Sequence, residues 1–324
     1  MPNYETTRLI NSILTYYYID GLTQAEIAKK MDLSTTKVNR LFHQAHELGY
    51  VNISIQTPMQ NLFDLESRLQ KECNINEIIV IPSVGENSHS QLSRLGVVAA
   101  EYLLKQIKDG DVIGIGGGTA VEAVTLAIEP DETYDISVVP MLGGVQGQIT
   151  TDVNFLATSL ANRLGGTAYQ LHAPAFVDTK EHCKALLEMS PVKEIIEIAR
   201  KSTIALFGIG TVDPDASRFV QFTALSAEEM DRIAENCGGT GEISAIVYDE
   251  EGRACAQDYN ERVVGLSLEM IKSIPFKIGV AASAAKAEAI LGALRGGYMD
   301  VLITDEDAAV AIIDLIEQSK IDNH

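Results

Sequence analysis

Two groups of residues in this chain have the type and spacing to recognise phosphate and hydroxyl groups. The first is the polar run Ser34, Thr35, Thr36, Lys37, Asn39, Arg40 and His43, between the apolar positions Val38, Leu41, Phe42, Ala45 and Leu48. Hydroxyl, amide and cationic side chains on one helical face suit base edges and backbone phosphates. The second is a set of glycine-bearing turns behind short apolar runs. Gly116-Gly117-Gly118-Thr119-Ala120 lets backbone approach a phosphate, and the helix after it aims free amides there. It lacks the Gly-Lys-Ser/Thr of a Walker loop and the third glycine of a dinucleotide fingerprint, so it also reads as a plain strand-to-helix turn.

Gly143-Gly144, followed by Gln146, Gln148 and Asn154, is a second such turn. A third is Ala281-Ala282-Ser283-Ala284-Ala285-Lys286, with its cation in the first turn of a helix. A cation there is disfavoured unless an anion lies between it and the amides. Phe207-Gly208-Ile209-Gly210-Thr211 and Gly238-Gly239-Thr240-Gly241-Glu242 are further turns. Glu242 is either an acceptor for sugar hydroxyls or a solvated turn carboxylate, and Asp305 caps the last helix. No nucleophile–base pair or carboxylate pair is recognisable in the sequence, where catalytic groups that converge only in the fold leave no mark.

The polar run needs a frame. Thr23 and Glu26 have capping-box spacing, and Ile27, Ala28 and Met31 share a helical face. Asp32-Leu33-Ser34 breaks the chain, Ser34 caps a second helix over Thr35–Leu48, and Gly49 ends it. Two short helices, a tight turn and a polar second helix predict a helix-turn-helix, with Thr23 and Gln24 joining its DNA-contacting set. A helix over Thr6–Tyr18 packs behind it. Val51, Ile53 and Ile55 alternate with Asn52 and Ser54 as a strand that forms a wing, and Pro58 closes the unit.

Leu62, Leu65 and Leu69 mark a linker helix whose stripe packs on its own body or on a second chain. From Ile75 onward, short apolar strands alternate with amphipathic helices. Strands are predicted at Ile78–Ile81, Val112–Ile115, Ile136–Met141, Ala168–Leu171, Thr203–Phe207, Ser244–Tyr248, Lys277–Val280 and Val301–Thr304. Helices are predicted at Leu92–Lys108, Thr119–Ile128, Phe155–Leu164, Ile195–Lys201, Ala227–Asn236, Ala285–Leu294 and Glu306–Glu317. The alternation predicts an α/β fold, a mostly parallel sheet with helices on both faces. Ligands of such sheets bind beyond the carboxyl ends of the strands, where the glycine turns lie. The domains are therefore 1–57 (winged helix-turn-helix), 58–74 (linker helix) and 75–324 (α/β body).

Composition sets bounds. With 324 residues and a 46% hydrophobic fraction, the chain is long and apolar enough for two folded domains. The net charge of −20 argues against nucleic acid at first sight. Residues 1–57, however, hold five basic and five acidic groups, so the acidic excess belongs entirely to the rest. A neutral head binds DNA modestly, and doubling heads in an oligomer strengthens it. Four scattered cysteines and six histidines without ligand spacing predict no disulfide framework, metal or cofactor. The absence of a signal-peptide pattern and of a membrane-length apolar run predicts a cytoplasmic protein with no membrane partner.

Taken together, these segments resemble the SorC family of bacterial transcriptional regulators. The resemblance rests on Tyr17-Tyr18, Gly21-Leu22-Thr23-Gln24, Ile27-Ala28 and Val38-Asn39-Arg40-Leu41 in the head. In the body it rests on Gly114–Thr119, Pro140–Gly144, Gly208-Ile209-Gly210, Gly241-Glu242-Ile243, Lys286–Ile290, Leu294–Tyr298 and Leu302–Asp305. It implies a winged head on a body related to sugar-phosphate isomerases that binds a phosphorylated sugar or polyol without catalysis. It also implies that the body, as the effector-binding domain, oligomerises into a tetramer built as a dimer of dimers, acting on operator DNA of a carbohydrate operon. Phosphate is expected on Gly117, Gly118 and Thr119 with Lys286, and a sugar contact on Glu242; Gly116, Ala120, Gly144 and Gln148 complete the expected set. Two departures stand out. Thr35 and Asn39 replace the family's common arginine and serine, implying a different operator. Ala281-Ala282-Ser283 stands where the family often has Ala-Gly-Gly, which bears on phosphate geometry. An isomerase or deaminase with a fused helical domain is the alternative reading.

Overall fold

The computed structural model describes residues 4–51, 59–83, 88–145, 150–213 and 227–322. The chain divides into two compact units, Met1–Gln60 and Asn61–His324.

In the first unit, helix α1 (Tyr4–Leu14) gives way to a π-turn at Thr15–Ile19, then come α2 (Gln24–Lys30) and α3 (Thr35–Glu47). The core is Ile10, Ile13, Ile27, Ala28, Val38, Leu41 and Ala45. Each fully buried isoleucine contributes about 1.5–3 kcal/mol. The regular helix predicted through Tyr18 stops at Leu14. The wider turn is closed by Asp20 N donating to Thr15 O at 3.1 Å, and such turns re-aim side chains. Here Tyr17 and Tyr18 meet Phe42 at ring-centroid distances of 4.8 and 5.7 Å. Phe42 is consequently half-buried, and Leu48, expected to point inward, is exposed. Val51 packs on the core. The wing expected at Asn52–Ile55 lies outside the described residues.

The second unit opens with α4 (Gln60–Cys73), whose Leu62 and Leu69 are buried in the unit's own core. A seven-stranded parallel sheet follows, in the order β1-β10-β9-β5-β2-β3-β4. Its strands are β1 (Glu77–Ile81), β2 (Val112–Ile115), β3 (Ser137–Pro140), β4 (Thr167–Ala168), β5 (Ile204–Gly208), β9 (Phe276–Val280) and β10 (Val301–Asp305). The central strands are apolar runs buried on both faces, as parallel sheets require. From β2 the chain steps outward to β3 and β4; from β5 it steps the opposite way to β9 and β10. Right-handed crossovers in opposite directions place their helices on opposite faces. Thus α5 (Ser88–Gln106), α6 (Thr119–Ala127) and α7 (Val153–Leu164) share one face. Helices α9 (Ser190–Arg200), α13 (Ala287–Gly296) and α14 (Glu306–Asp322) share the other. The remaining helices among the described residues are α8 (Lys180–Glu188), α10 (Ala227–Cys237), α11 (Gln257–Asn260) and α12 (Leu268–Lys272).

A second, antiparallel sheet joins β6 (Gly210–Thr211), β7 (Gly239–Ile243) and β8 (Ile246–Asp249). It corrects two expectations. The Gly238–Glu242 segment is a strand for most of its length, and the strand expected at Ser244–Tyr248 begins only at Ile246, because Ser244-Ala245 is a tight hairpin turn. Alternating glycines hid β7, since they carry no apolar pattern. The strand expected at Ala168–Leu171 shrinks to two residues at the sheet edge. Among the described residues, no helix is long and apolar enough to cross a membrane, and no group of three metal-ligating side chains comes together.

Candidate effector crevice and DNA-reading face

In the head, the residues flanking the turn act first as caps. Thr23 Oγ1 accepts from Glu26 N at 3.3 Å, while Thr23 N donates to Glu26 Oε2 at 2.8 Å, completing the capping box. The amide and hydroxyl of Thr23 hold the Glu26 carboxyl below its usual range. Ser34 Oγ accepts from Lys37 N at 3.2 Å and starts α3. With α3 fixed by Val38, Leu41 and Ala45 inside, Thr35, Thr36, Lys37, Asn39, Arg40 and His43 are all exposed. Gln24 is half-buried. The exposed set joins hydroxyls, an amide and two cations at the N-terminal half of the helix, the half that enters the major groove in motifs of this geometry.

In the body, strands β2 and β5 are neighbours at which the winding reverses, the position where open α/β sheets form a ligand crevice. Gly118 caps α6 with φ +103° and no side-chain bond. The first helical bond of α6 is Glu122 N to Gly118 O at 2.9 Å. The amides of Thr119, Ala120 and Val121 therefore precede any intrahelical acceptor and carry the positive end of the helix dipole. The end of β5 lies alongside: a Cβ placed on Gly208 would stand 3.7 Å from Ala120 Cβ and 3.9 Å from Gly117 O.

Beyond Gly208, Ile209 O accepts from Lys286 Nζ at 2.8 Å. Gly210 pairs with Glu242, whose carboxylate fills the space a side chain at 210 would need. Glu242 Oε2 accepts from Ala245 N at 2.8 Å. Burial pushes its carboxyl pKa up, opposed by the Ala245 amide and the Lys286 charge. Burial, then the charge of Glu242, pushes the Tyr248 and Tyr259 phenols well above their ordinary range. Tyr248 donates to Ala289 O at 2.8 Å and ties the small sheet to α13.

Gly117, Thr119, Ala120, Glu242 and Lys286 thus gather within a few residues of the β5 end. Other expected members do not offer their amides. Gly116 N donates to Leu206 O at 2.9 Å, Gly118 N to Thr151 O at 3.1 Å and Gly144 N to Ala173 O at 2.8 Å. Gln148, like Gln146, lies outside the described residues. Lys286 ends a 3₁₀ turn, Ala284–Lys286, that precedes α13, and is not in the α-helix's own first turn. Its cation is turned back to a carbonyl. Ser283, in place of a glycine, has φ +96°, a conformation costing about 1–3 kcal/mol. Asp305 Oδ1 holds it by accepting from Ser283 N at 3.0 Å and also accepts from Ala308 N at 3.1 Å, capping α14 as expected.

Three positioning residues were not singled out from the sequence. Val121 adds an amide at the start of α6. Thr151 supplies the carbonyl that shapes the glycine turn. Asp152 starts α7 through Asn154 N at 3.0 Å and holds Val145 N at 2.8 Å. Its Asx cap, followed by an apolar run, was the one signal that could have found it.

Residues 57–314 match the family described as "Putative sugar-binding domain", and residues 11–47 match sigma-70 region 4. The chain is 28% identical over 303 residues to the transcriptional regulator LsrR of Escherichia coli K12, spanning 93% of each protein. It is 29% identical over 302 residues to the deoxyribonucleoside regulator of Bacillus subtilis, spanning 92% of this chain and 94% of that one. The full-length sorbitol operon regulator SorC of Klebsiella pneumoniae superposes with a TM-score of 0.74 at 26% identity, covering 95% of this chain and 99% of that one. With a helix-turn-helix head, a doubly wound body and a sugar-binding-domain match over most of its length, the chain belongs to the SorC family of transcriptional regulators.

Proposed function

We propose that the protein controls a carbohydrate-use operon by binding operator DNA through its head and a phosphorylated sugar or polyol through the β2/β5 crevice. The observation that carries this reading is the pairing of three amides at the start of α6, which precede any intrahelical acceptor, with Glu242 and Lys286 beside the neighbouring strand end. Amides and a cation suit a phosphate; a carboxylate suits carbohydrate hydroxyls. In this reading Thr119, Ala120 and Val121 bind the phosphate, with Gly117 allowing close approach. Lys286 supplies charge and Glu242 accepts from the sugar. In the head, Thr35, Thr36, Asn39 and His43 meet base edges while Lys37 and Arg40 meet phosphates. The cytoplasmic protein acts as a tetramer, a dimer of dimers, since one neutral head binds weakly and paired heads match half-sites a helical turn apart. Its domains are the head 1–57, the linker helix 58–74 and the body 75–324, and it turns over no substrate. Two of the named relatives are a sorbitol operon regulator and a deoxyribonucleoside regulator, which supports a polyol- or pentose-class effector.

The test is fluorescence anisotropy of labelled DNA from upstream of the gene, at low and moderate salt, with and without a mixture of sugar phosphates. Salt-sensitive binding that the mixture alters supports the reading. DNA that binds nowhere upstream, with or without the mixture, overturns it. Turnover of an aldose or ketose phosphate would favour the enzyme alternative.

A further inference from the structure

The hairpin turn between β7 and β8 is Ser244-Ala245, both residues left-handed, with φ +51° and +64°. Two-residue turns of this kind are usually Asn-Gly or Asp-Gly and face water. This one is buried and has no glycine. Ser244 is only 8% exposed, and its Oγ has no hydrogen-bond partner among the described residues. Native proteins rarely leave a buried hydroxyl unpaired without a reason.

Its position supplies the reason. Ser244 Oγ stands 3.5 Å from where a Cβ on Gly116 would be. Gly116 has no side chain, so the hydroxyl faces bare backbone at the end of β2, where the glycine turn begins. The same turn sets Glu242 through the Ala245 amide at 2.8 Å. A second buried, unpartnered hydroxyl, Thr151 Oγ1, belongs to the residue whose carbonyl holds Gly118 N. Ser202, also unpartnered, instead faces Gly114 within the strand.

We propose that Ser244 is a specificity-determining residue of the crevice, its hydroxyl bonding one hydroxyl of the carbohydrate effector while Glu242 accepts from another. The proposal rests on the effector-site reading above. It assigns the carbohydrate end of the ligand to the β7–β8 turn and the anionic end to α6. A neutral hydroxyl can both donate and accept, so it discriminates a sugar or polyol from its deoxy analogue without adding charge. The strained turn is retained because it delivers both groups to the same strand end.

The test is calorimetric titration of the full chain with inorganic phosphate, ribose 5-phosphate, 2-deoxyribose 5-phosphate, glucose 6-phosphate, 2-deoxyglucose 6-phosphate and sorbitol 6-phosphate. Ser244→Ala is expected to weaken the tightest carbohydrate ligand about tenfold and to leave inorganic phosphate unchanged. Ser244→Gly removes the hydroxyl and relaxes the left-handed backbone. It is expected to show the same loss with an equal or higher melting temperature, which separates recognition from turn damage. Variants that keep wild-type affinity overturn the proposal. So does an equal loss for inorganic phosphate, or a wild type that prefers no carbohydrate ligand to phosphate. A wild type that binds neither phosphate nor any carbohydrate phosphate overturns the effector-site reading together with this inference, whereas a wild type that binds alongside unaffected variants overturns this inference alone.

Discussion

Glu242 and Gly210 face each other across the β6–β7 pair, and the carboxylate stands where a side chain at 210 would have to go. Gly210→Ala therefore displaces Glu242. Overpacking of this kind costs about 1–3 kcal/mol. The expected result is a folded protein that still binds operator DNA but loses most of its response to sugar phosphate, at least about tenfold in effector concentration. Anisotropy titrations with and without effector check it.

Lys37 and Arg40 extend from the exposed face of α3, and Thr35, Thr36 and Asn39 supply the neutral donors and acceptors. Changing Lys37 and Arg40 to alanine is expected to weaken DNA binding across all sequences. It should also reduce the slope of log affinity against log salt by about 1 per cation. Thr35→Ala or Asn39→Ala should instead relax sequence preference and leave the salt slope in place. Competition with a scrambled duplex separates the two outcomes.

The pH dependence follows from the raised Glu242 pKa. A carboxyl whose native pKa lies above its unfolded value binds more protons in the folded state between the two values. Stability contributed by the protonated form is present below that window and is lost as pH rises through the raised value. Glu242→Gln lacks this loss. Its melting temperature should match the wild type in acid and exceed it near neutrality, while effector affinity falls. Melting curves across the acid-to-neutral range test the sign.

Helices α5 and α6 approach closely at Gly96, where an added Cβ would stand 2.5 Å from both the carbonyl carbon and the oxygen of Ala123. Gly96→Ala must push the helices apart. About 1–3 kcal/mol of body stability should be lost. Because α6 carries the phosphate-facing amides, inorganic phosphate affinity should drop as well. A variant with unchanged melting temperature would contradict this packing.

Much of this was legible in residue patterns. The capping box at Thr23 and Glu26, the Ser34 cap and the Gly49 stop are local signals, and local hydrogen bonds formed as they indicate. The apolar runs of β2, β5, β9 and β10 announce a sheet buried on both faces. Other features were not legible, because distant contacts decide them. The small antiparallel sheet reads as turns because Gly239 and Gly241 are selected for close approach, Gly241 beneath Tyr248, and not for strand propensity. The amides of Gly116, Gly118 and Gly144 look available in a glycine-rich string. Their acceptors, Leu206, Thr151 and Ala173, come from elsewhere in the chain. The π-turn at Thr15 has no spacing signature, since Tyr17 and Tyr18 adopt it to reach Phe42.

Asp305 closes the β10 strand with one oxygen shared between Ser283 N and Ala308 N, and the next residue, Glu306, accepts from Asn61 Nδ2 at 2.8 Å. Arg68 with Glu317, and Lys320 with Glu72, continue that attachment along α4 and α14. The crevice wall at Ser283 and the residue where the chain enters the body are thus two ends of one short polar strut. Ser283 and Asn61 are joined through one carboxylate, one peptide and one side-chain bond, so the crevice wall and the root of α4 share a single line of polar contacts.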